Sequence, residues 1–324
     1  MLDFCIIGSG VAGSTIAKSL SKKYSLHVYD KAKGIGGRSS NKRLRKNLSY
    51  DHGVQYIAPK TKKFQAFIND LYIKRVLKKW NGNHLDFTFK KNGSSKFIGC
   101  KANNDLPKFQ LKRIKTYCNS QVTKIAYLKN FWEITFNNKS KRKFKAVILT
   151  CPYPQTKKLG KKYFSKNFLN LKISMKPNIT LMLATKGKKI PSISSIKIND
   201  DIIAWIANEN SKKRFMSDTN LWTIQTSLKF SKKYINDYKI NNKIINLILL
   251  KFLQLTGFKN NEIVFKKIHG WKYSYNLDKT SLKSFWDTKL NFGICADWFN
   301  GPKVEDAWIS ANDLLEKIKK NPLI

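Results

Sequence analysis

Gly8-Ser9-Gly10-Val11-Ala12-Gly13 follows the apolar run Phe4-Cys5-Ile6-Ile7 and precedes a helix-like stretch, Ser14 to Lys22. The order strand, glycine turn, helix gives each glycine a task. The first makes a tight turn, the second lets backbone approach a diphosphate, and the third lets the helix pack on the strand. The helix N-terminus then offers partial positive charge and unpaired N–H groups to that diphosphate. Downstream the apolar run Leu26-His27-Val28-Tyr29 ends in Asp30, where a carboxylate can take ribose hydroxyls. These features predict a βαβ unit that holds an adenine dinucleotide at Gly8, Gly10, Val11, Ala12, Gly13 and Asp30.

The segment after Asp30 separates flavin from nicotinamide. Lys31-Ala32-Lys33-Gly34-Ile35-Gly36-Gly37-Arg38 is a second glycine-rich turn ending in an arginine, an element that nicotinamide-binding domains usually lack. Gly36 and Gly37 allow close backbone approach, and the Arg38 guanidinium can bond a phosphate through two N–H groups. The string resembles the Gly-Gly-Arg motif of the amine oxidase-like flavoproteins, which hold FAD in an extended conformation. Tyr50-Asp51-His52-Gly53-Val54-Gln55-Tyr56 is similar to the next signature of one branch, the renalase-like FAD oxidoreductases. The resemblance implies a Rossmann-like α/β fold for the FAD-binding part. It places Gly53, Val54 and Gln55 at the cofactor, with Gln55 and Tyr56 at the flavin.

Composition bounds the remaining possibilities. A chain of 324 residues suits two interleaved domains. The net charge of +43 comes almost wholly from Lys spread over every segment, where nucleic-acid readers favour Arg and cluster their charge. We read it as compositional drift, with no specific nucleic-acid partner, although such a field speeds capture of an anionic dinucleotide. Lys31, Lys33, Lys42, Arg43, Arg45 and Lys46 form one local cluster beside the expected phosphate sites. Cys5, Cys100, Cys118, Cys151 and Cys295 contain no C-x-x-C pair, so neither a disulfide framework nor a metal site is expected. No apolar run has the length of a membrane span, and the chain enters its first strand without a basic leader and cleavage site. The expectation is a cytoplasmic protein without membrane insertion. The oligomeric state stays open.

Periodicity predicts a discontinuous FAD-binding domain of residues 1–80, 120–165 and 281–324, and a mixed-sheet substrate domain of 81–119 and 166–280. A helix is expected over Lys62 to Lys79, strands over His84 to Lys91 and Lys96 to Cys100, and a hairpin over Val122 to Tyr127 and Phe131 to Phe136. Ala146 to Thr150 reads as a buried strand stopped by Pro152 and Pro154. Strands follow over Asn178 to Ala184, Asp201 to Ile206, Leu221 to Leu228 and Glu262 to Trp271, with a broken helix from Ser231 through Leu255.

Further stretches carry the resemblance to nearly the whole chain. Ala204 to Lys212 is similar to the family's Trp strand and Ser-Lys turn, and His269-Gly270-Trp271-Lys272-Tyr273 to a His-Arg-Trp-Arg-Tyr strand end in which Gly270 and Lys272 replace arginines. Trp271 and Tyr273 are placed on the substrate side. Phe292 to Trp298 and the helix from Val304-Glu305 resemble the family's last strand, turn and helix. They put Asp297 on the ribityl chain or diphosphate and the N–H groups at Val304 and Glu305 on the flavin N1 and O2. A helix start there stabilises charge gained on reduction. Val122 is assigned to the adenine. Cys295 receives no covalent flavin link from the resemblance, so FAD is expected to be non-covalent.

The resemblance implies hydride transfer from misreduced NAD(P)H isomers to flavin N5, with O2 as acceptor. The substrate is then a dihydronicotinamide dinucleotide that needs no general base; His52 is the nearest acid–base candidate and reads better as structural. Two alternatives stand beside this reading. One is an FAD-dependent amine oxidase or isoprenoid desaturase-like enzyme, and the other a non-enzymatic basic module that binds nucleic acid or a membrane surface.

Overall fold

The computed structural model describes residues 1–45, 48–91, 93–186 and 193–323. The opening apolar run forms the strand Leu2–Ile7, whose side chains alternate between two cores. Phe4 and Ile6 pack with Ile16 and Leu314, whereas Cys5 and Ile7 pack with Trp132 and Leu149. A strand buried on both faces belongs in the middle of a sheet with covered sides. It pairs in parallel with Lys141–Leu149 on one side and Leu26–Tyr29 on the other. The eight-stranded sheet continues outward through Phe292–Ile294 and Phe285–Asp287 at one edge and Thr116–Tyr117 at the other, and the hairpin of Val122–Leu128 and Phe131–Phe136 hangs from Lys141–Leu149. Helices Val11–Leu20 and Val304–Lys320 share the core on one face through Ile16, Ala17, Ala307 and Ala311.

A second, six-stranded sheet runs in the order Ile263–Tyr275, Lys176–Thr185, Asn220–Thr226, Ile203–Asn208, Ile193–Lys197, Asn83–Leu85. Its pairs are antiparallel except the last. Helix Asn242–Thr256 presents Ile244, Ile248, Leu249 and Phe252 to Ile179, Leu181, Trp222 and Ile224 of the sheet. The i, i+4 spacing of these apolar residues gives that helix its buried stripe. A shorter helix, Leu228–Tyr234, precedes it.

Three local expectations differ from the structure. The helix expected to Lys79 ends at Ile73, because Arg75 takes a left-handed φ of 54° and the chain turns into the strand Leu77–Lys79 paired with Phe97–Gly99. The strand expected over His84 to Lys91 stops at Leu85, where Asp86 accepts from the backbone N–H groups of Thr88 and Lys90 and folds the chain into a turn. Within 81–119 the chain divides: Asn83–Leu85 joins the second sheet, while Thr116–Tyr117 pairs with Leu26–Tyr29 and helix Asp105–Gln110 bonds the first helix through Gln110 and Ser14, 2.7 Å. Lys46 of the basic cluster lies outside the described residues.

Buried charge ties the loop at Asp51 to the second sheet. Lys212 Nζ donates to Asp51 Oδ2 at 2.9 Å and to both oxygens of Glu209 at 3.0 and 2.9 Å, and all three side chains are essentially unexposed. Arg214 donates to the same Asp51 oxygen, to Asn103 Oδ1 at 2.8 Å and to the Gly99 carbonyl at 2.9 Å. Thr223 Oγ1 donates to Glu209 at 2.6 Å. Two cations and two anions cancel, and each polar atom finds partners. Burial alone raises a carboxyl pKa, but Lys212 and Arg214 outweigh it and hold Asp51 well below the usual range. Removing one member strands the others in low dielectric, at a cost of about 3–5 kcal/mol. Lys212→Met should therefore lower unfolding stability in urea by about that amount, whereas Lys229→Met, which breaks the exposed pair with Asp201, should leave the midpoint nearly unchanged. Equal midpoints for the two variants would contradict this.

Candidate functional site

A cavity of about 690 Å³ opens at the C-terminal ends of the parallel strands Leu2–Ile7, Leu26–Tyr29 and Lys141–Leu149, lined there by Ile7, Tyr29 and Thr150. Open α/β sheets place ligands at this edge. Gly8, Gly10, Val11 and Ala12 form its floor. Gly13 lies beneath it, where a Cβ would meet the Gly8 carbonyl oxygen at 1.9 Å, so only glycine lets the helix sit on the strand. The helix that starts at Val11 has no side-chain cap at Gly10 and no acid in its first turn, which leaves its positive end to the cavity. The second turn completes the cradle. Gly37, at φ 53°, brings its backbone against Gly10, and Gly36 N donates to the Ser9 carbonyl at 3.2 Å.

Asp30 is held rigidly at the rim. Its Oδ2 accepts from Ser9 N at 2.8 Å and Ser9 Oγ at 2.7 Å, and its Oδ1 accepts from Ala32 N at 2.9 Å, which leaves Oδ1 a further lone pair. Lys31, Val54, Val122 and Val304 also line this cavity.

Arg38 and Asp297, expected to bond the cofactor separately, face each other across the wall. Arg38 donates through Nη1 to Asp297 Oδ2 at 2.7 Å and through Nη2 to Oδ1 at 2.6 Å. Nη1 also donates to the Ser274 carbonyl at 2.9 Å, which a register shift of strand Ile263–Tyr275 opposite Lys176 to Asn178 presents. The pair fixes the end of the second sheet and the turn before the last helix to the second glycine turn, and leaves Arg38 Nε and one Nη2 hydrogen for an anion.

A larger cavity of about 1360 Å³ adjoins the first and shares Arg38, Val54, Trp271, Lys303 and Val304 with it. Gly53, Gln55, Tyr56 and Glu305 lie here and not in the first cavity. Gln55 donates to the Asp51 and Gly53 carbonyls, the latter at 3.3 Å. Glu305 accepts from Lys60 N at 2.9 Å and Thr61 N at 2.8 Å, which ties the last helix to the loop before Lys62–Ile73. Trp271 stands at the junction: its Nε1 donates to the His52 carbonyl at 2.9 Å and its ring stacks on His52 at 5.1 Å. Tyr273 lines the first cavity. At Gly270 a Cβ would lie 2.3 Å from the ring of Tyr238, so this chain fills with Tyr238 the space that an arginine side chain needs to start.

Residues 6–71 match the family described as NAD(P)-binding Rossmann-like domain. Renalase of Mus musculus is 29% identical over 161 residues, 46% of this chain and 47% of that protein. An L-amino acid dehydrogenase of Synechocystis sp. is 34% identical over 74 residues, 22% of this chain and 16% of that one. The chain thus spans about half or less of the length of the curated relatives it matches. In structure it is similar to a putative protoporphyrinogen oxidase from Exiguobacterium sp. 255-15, with a TM-score of 0.74 at 9% identity over 98% of each chain. A putrescine oxidase redesigned in cofactor binding gives 0.73 at 9% identity, over 98% of this chain and 99% of that one. At these identities the shared property is the fold.

Sequence reasoning gave Asp51 and Lys212 as motif residues without a role and passed over Arg214, whose signal was a further cation two residues beyond Lys212. It also left His269 unassigned. The His52 and His269 rings meet edge to face at 4.7 Å beside Trp271, and both line the first cavity. Cys295 lies in the first core and outside both cavities, with its thiol pushed up by burial. Among the described residues no cluster of His, Cys, Asp and Glu has the arrangement to hold a metal ion, and no helix is long and apolar enough to cross a membrane.

Burial lowers His52 to about 3, with His269 and Lys42 adding to the effect and Asp51 opposing it; burial, Lys42 and Lys239 lower His269 to about 4. Both rings are neutral at pH 7, so neither donates a proton as an imidazolium there. Below pH 6.5 the unfolded chain takes up these protons and the folded chain does not, so the stability they contribute is present above pH 6.5 and declines as the pH falls. The melting temperature should drop between pH 6.5 and about 4, and His269→Gln should make that drop shallower. An unchanged slope in the variant would refute the assignment.

Proposed function

We propose that this chain is an FAD-dependent oxidoreductase that oxidises a dihydronicotinamide-type substrate, a misreduced NAD(P)H isomer, with O2 as acceptor and FAD held non-covalently. The cofactor fits the residues present. The first cavity combines an uncapped helix start at Val11, two glycine turns in contact and a fixed Asp30 at its rim. When bound, FAD supplies the acceptor for a hydride, two electrons and one proton of which pass with a further proton to O2 as hydrogen peroxide.

In this reading the protein binds, orients and excludes water. The diphosphate takes the N–H groups from Val11 onward and the remaining donors of Arg38; Asp30 takes a ribose. Gly36, Gly37, Lys31 and Val122 shape the same wall. The start of helix Val304–Lys320, with Val304 and Lys303 on both cavities, faces the reacting end. Gly53, Gln55, Tyr56 and Trp271 wall the substrate side.

The observation that carries the substrate class is the charge of the larger cavity. Arg38, Lys60, Lys79, Lys197 and Lys303 line it, and Glu305 is the single acidic side chain among its described lining residues, with both carboxylate oxygens already accepting backbone N–H groups. Such a wall favours an anionic dinucleotide and disfavours a cationic amine. Its volume also exceeds the roughly 300–1,000 Å³ of sites for drug-sized ligands, which suits a dinucleotide. No histidine or free carboxylate stands among these lining residues to act as a base, and loss of hydride from a dihydropyridine requires none.

Purified protein should be yellow, and anaerobic addition of 2- or 6-dihydronicotinamide dinucleotide should bleach it within a stopped-flow trace, with slower reduction as salt is raised. Bleaching by amines alone would replace this substrate class with the amine-oxidising one. No bleaching by any donor would refute the catalytic proposal.

A further inference from the structure

Two residues that line the larger cavity each hold a buried polar atom with no hydrogen-bond partner among the described residues, and the atoms are of opposite kind: the indole Nε1–H of Trp205 and the amide Oε1 of Gln55. Trp205 is 9% exposed and Gln55 6%. Most buried polar groups find partners, so such a pair calls for a physical reason. Flipping the amide does not provide one. Gln55 Nε2 donates to the Asp51 and Gly53 carbonyls, and exchange would set oxygen against both. The indole offers only a donor.

The two atoms belong to one constellation. Trp205 pairs across the sheet with Gln225, whose Nε2 donates at 2.7 Å to the Gly53 carbonyl, the same oxygen that Gln55 reaches at 3.3 Å. The ring of Tyr56, next in sequence to Gln55, lies 5.8 Å from that of Trp205. A Cβ on Gly53 would stand 3.2 Å from Trp271, at the junction of the cavities.

We propose that Trp205 and Gln55 form a subsite for a planar primary carboxamide on the substrate ring. The carboxamide oxygen accepts from Trp205 Nε1 and its NH2 donates to Gln55 Oε1. This rests on reading the larger cavity as the substrate site. Both protein atoms are shaded from solvent, so the subsite forms as the ring enters and small side-chain rotations, with Gln55 Nε2 keeping its carbonyl partners, open the two atoms to the cavity. A carboxamide carries a neutral acceptor and donor in one plane. A carboxylate would set charge against Gln55 Oε1, and an ammonium group would leave the Trp205 N–H without an acceptor. The specificity device is then a matched pair of hydrogen bonds, whose loss leaves a buried group unpaired.

The test uses the flavin-loaded protein and follows perturbation of the flavin absorbance as oxidised nicotinamide mononucleotide is titrated in, beside its 3-acetyl and 3-carboxylate analogues. Wild type should bind the carboxamide about tenfold or more tighter than the acetyl compound, which keeps the acceptor and lacks the donor, and should bind the carboxylate more weakly still. Trp205→Phe, which keeps the ring and removes the N–H, should weaken carboxamide and acetyl binding alike by about tenfold, with flavin content unchanged. Wild-type affinities in Trp205→Phe would overturn the proposal and leave a trapped water as the partner. If that variant fails to hold flavin, the preference order of wild type decides, and equal affinity for carboxamide and acetyl overturns it. If wild type binds none of the three while dihydropyridines still bleach the flavin, the subsite falls and the oxidoreductase reading stands; if neither occurs, both fall.

Discussion

The buried cluster of Asp51, Glu209, Lys212 and Arg214 is the constraint on which the rest depends. It fixes the loop that begins at Asp51 to the turn after strand Ile203–Asn208 of the second sheet. The five residues that follow Asp51 serve both cavities: His52 and Val54 line the first, and Gly53, Gln55 and Tyr56 line the second. A buried ion cluster contributes little net stability compared with a well-packed apolar alternative, but it tolerates few other arrangements. The geometry of the site follows from that intolerance, because a shift of Asp51 would move every wall residue after it.

A second charge pair closes the other side. Arg38 and Asp297 come from segments 259 residues apart and meet through two parallel hydrogen bonds. Their pairing joins the second glycine turn to the last strand and helix, so the elements that surround the first cavity are tied into one frame. The larger cavity then inherits its electropositive wall from loops on several elements, with the acid that could neutralise it, Glu305, committed to backbone N–H groups. The +43 charge of the chain is diffuse, yet its consequence at this wall is specific.

Local patterns made the first sheet legible. Glycine spacing, the acidic end of Leu26–Tyr29 and the alternation in Leu2–Ile7 are written in neighbouring residues, and the structure gathers Gly8, Gly10, Val11, Ala12, Asp30, Gly36, Gly37, Arg38, Val122, Asp297 and Val304 around one cavity. What escaped depended on contacts distant in sequence. The Arg38–Asp297 pairing, the meeting of Lys212 with Asp51 and the fit of Tyr238 over Gly270 leave no periodic trace. The early end of the helix at Ile73 turned on a single left-handed residue, Arg75, in an otherwise helix-compatible run. Gln55 and Tyr56, expected at the flavin, line the adjoining cavity, in the loop that begins at Asp51.

The central claim is that the glycine-lined cavity holds FAD and not a nicotinamide dinucleotide, although the first strand and the first glycine turn alone fit either. Its most direct test is to denature purified protein by heat, remove the polypeptide and identify the nucleotide released into solution. The account predicts FAD, close to one per chain, in the supernatant. NAD or NADP in its place, flavin that stays attached to the polypeptide, or no nucleotide from protein supplied with FAD would contradict it.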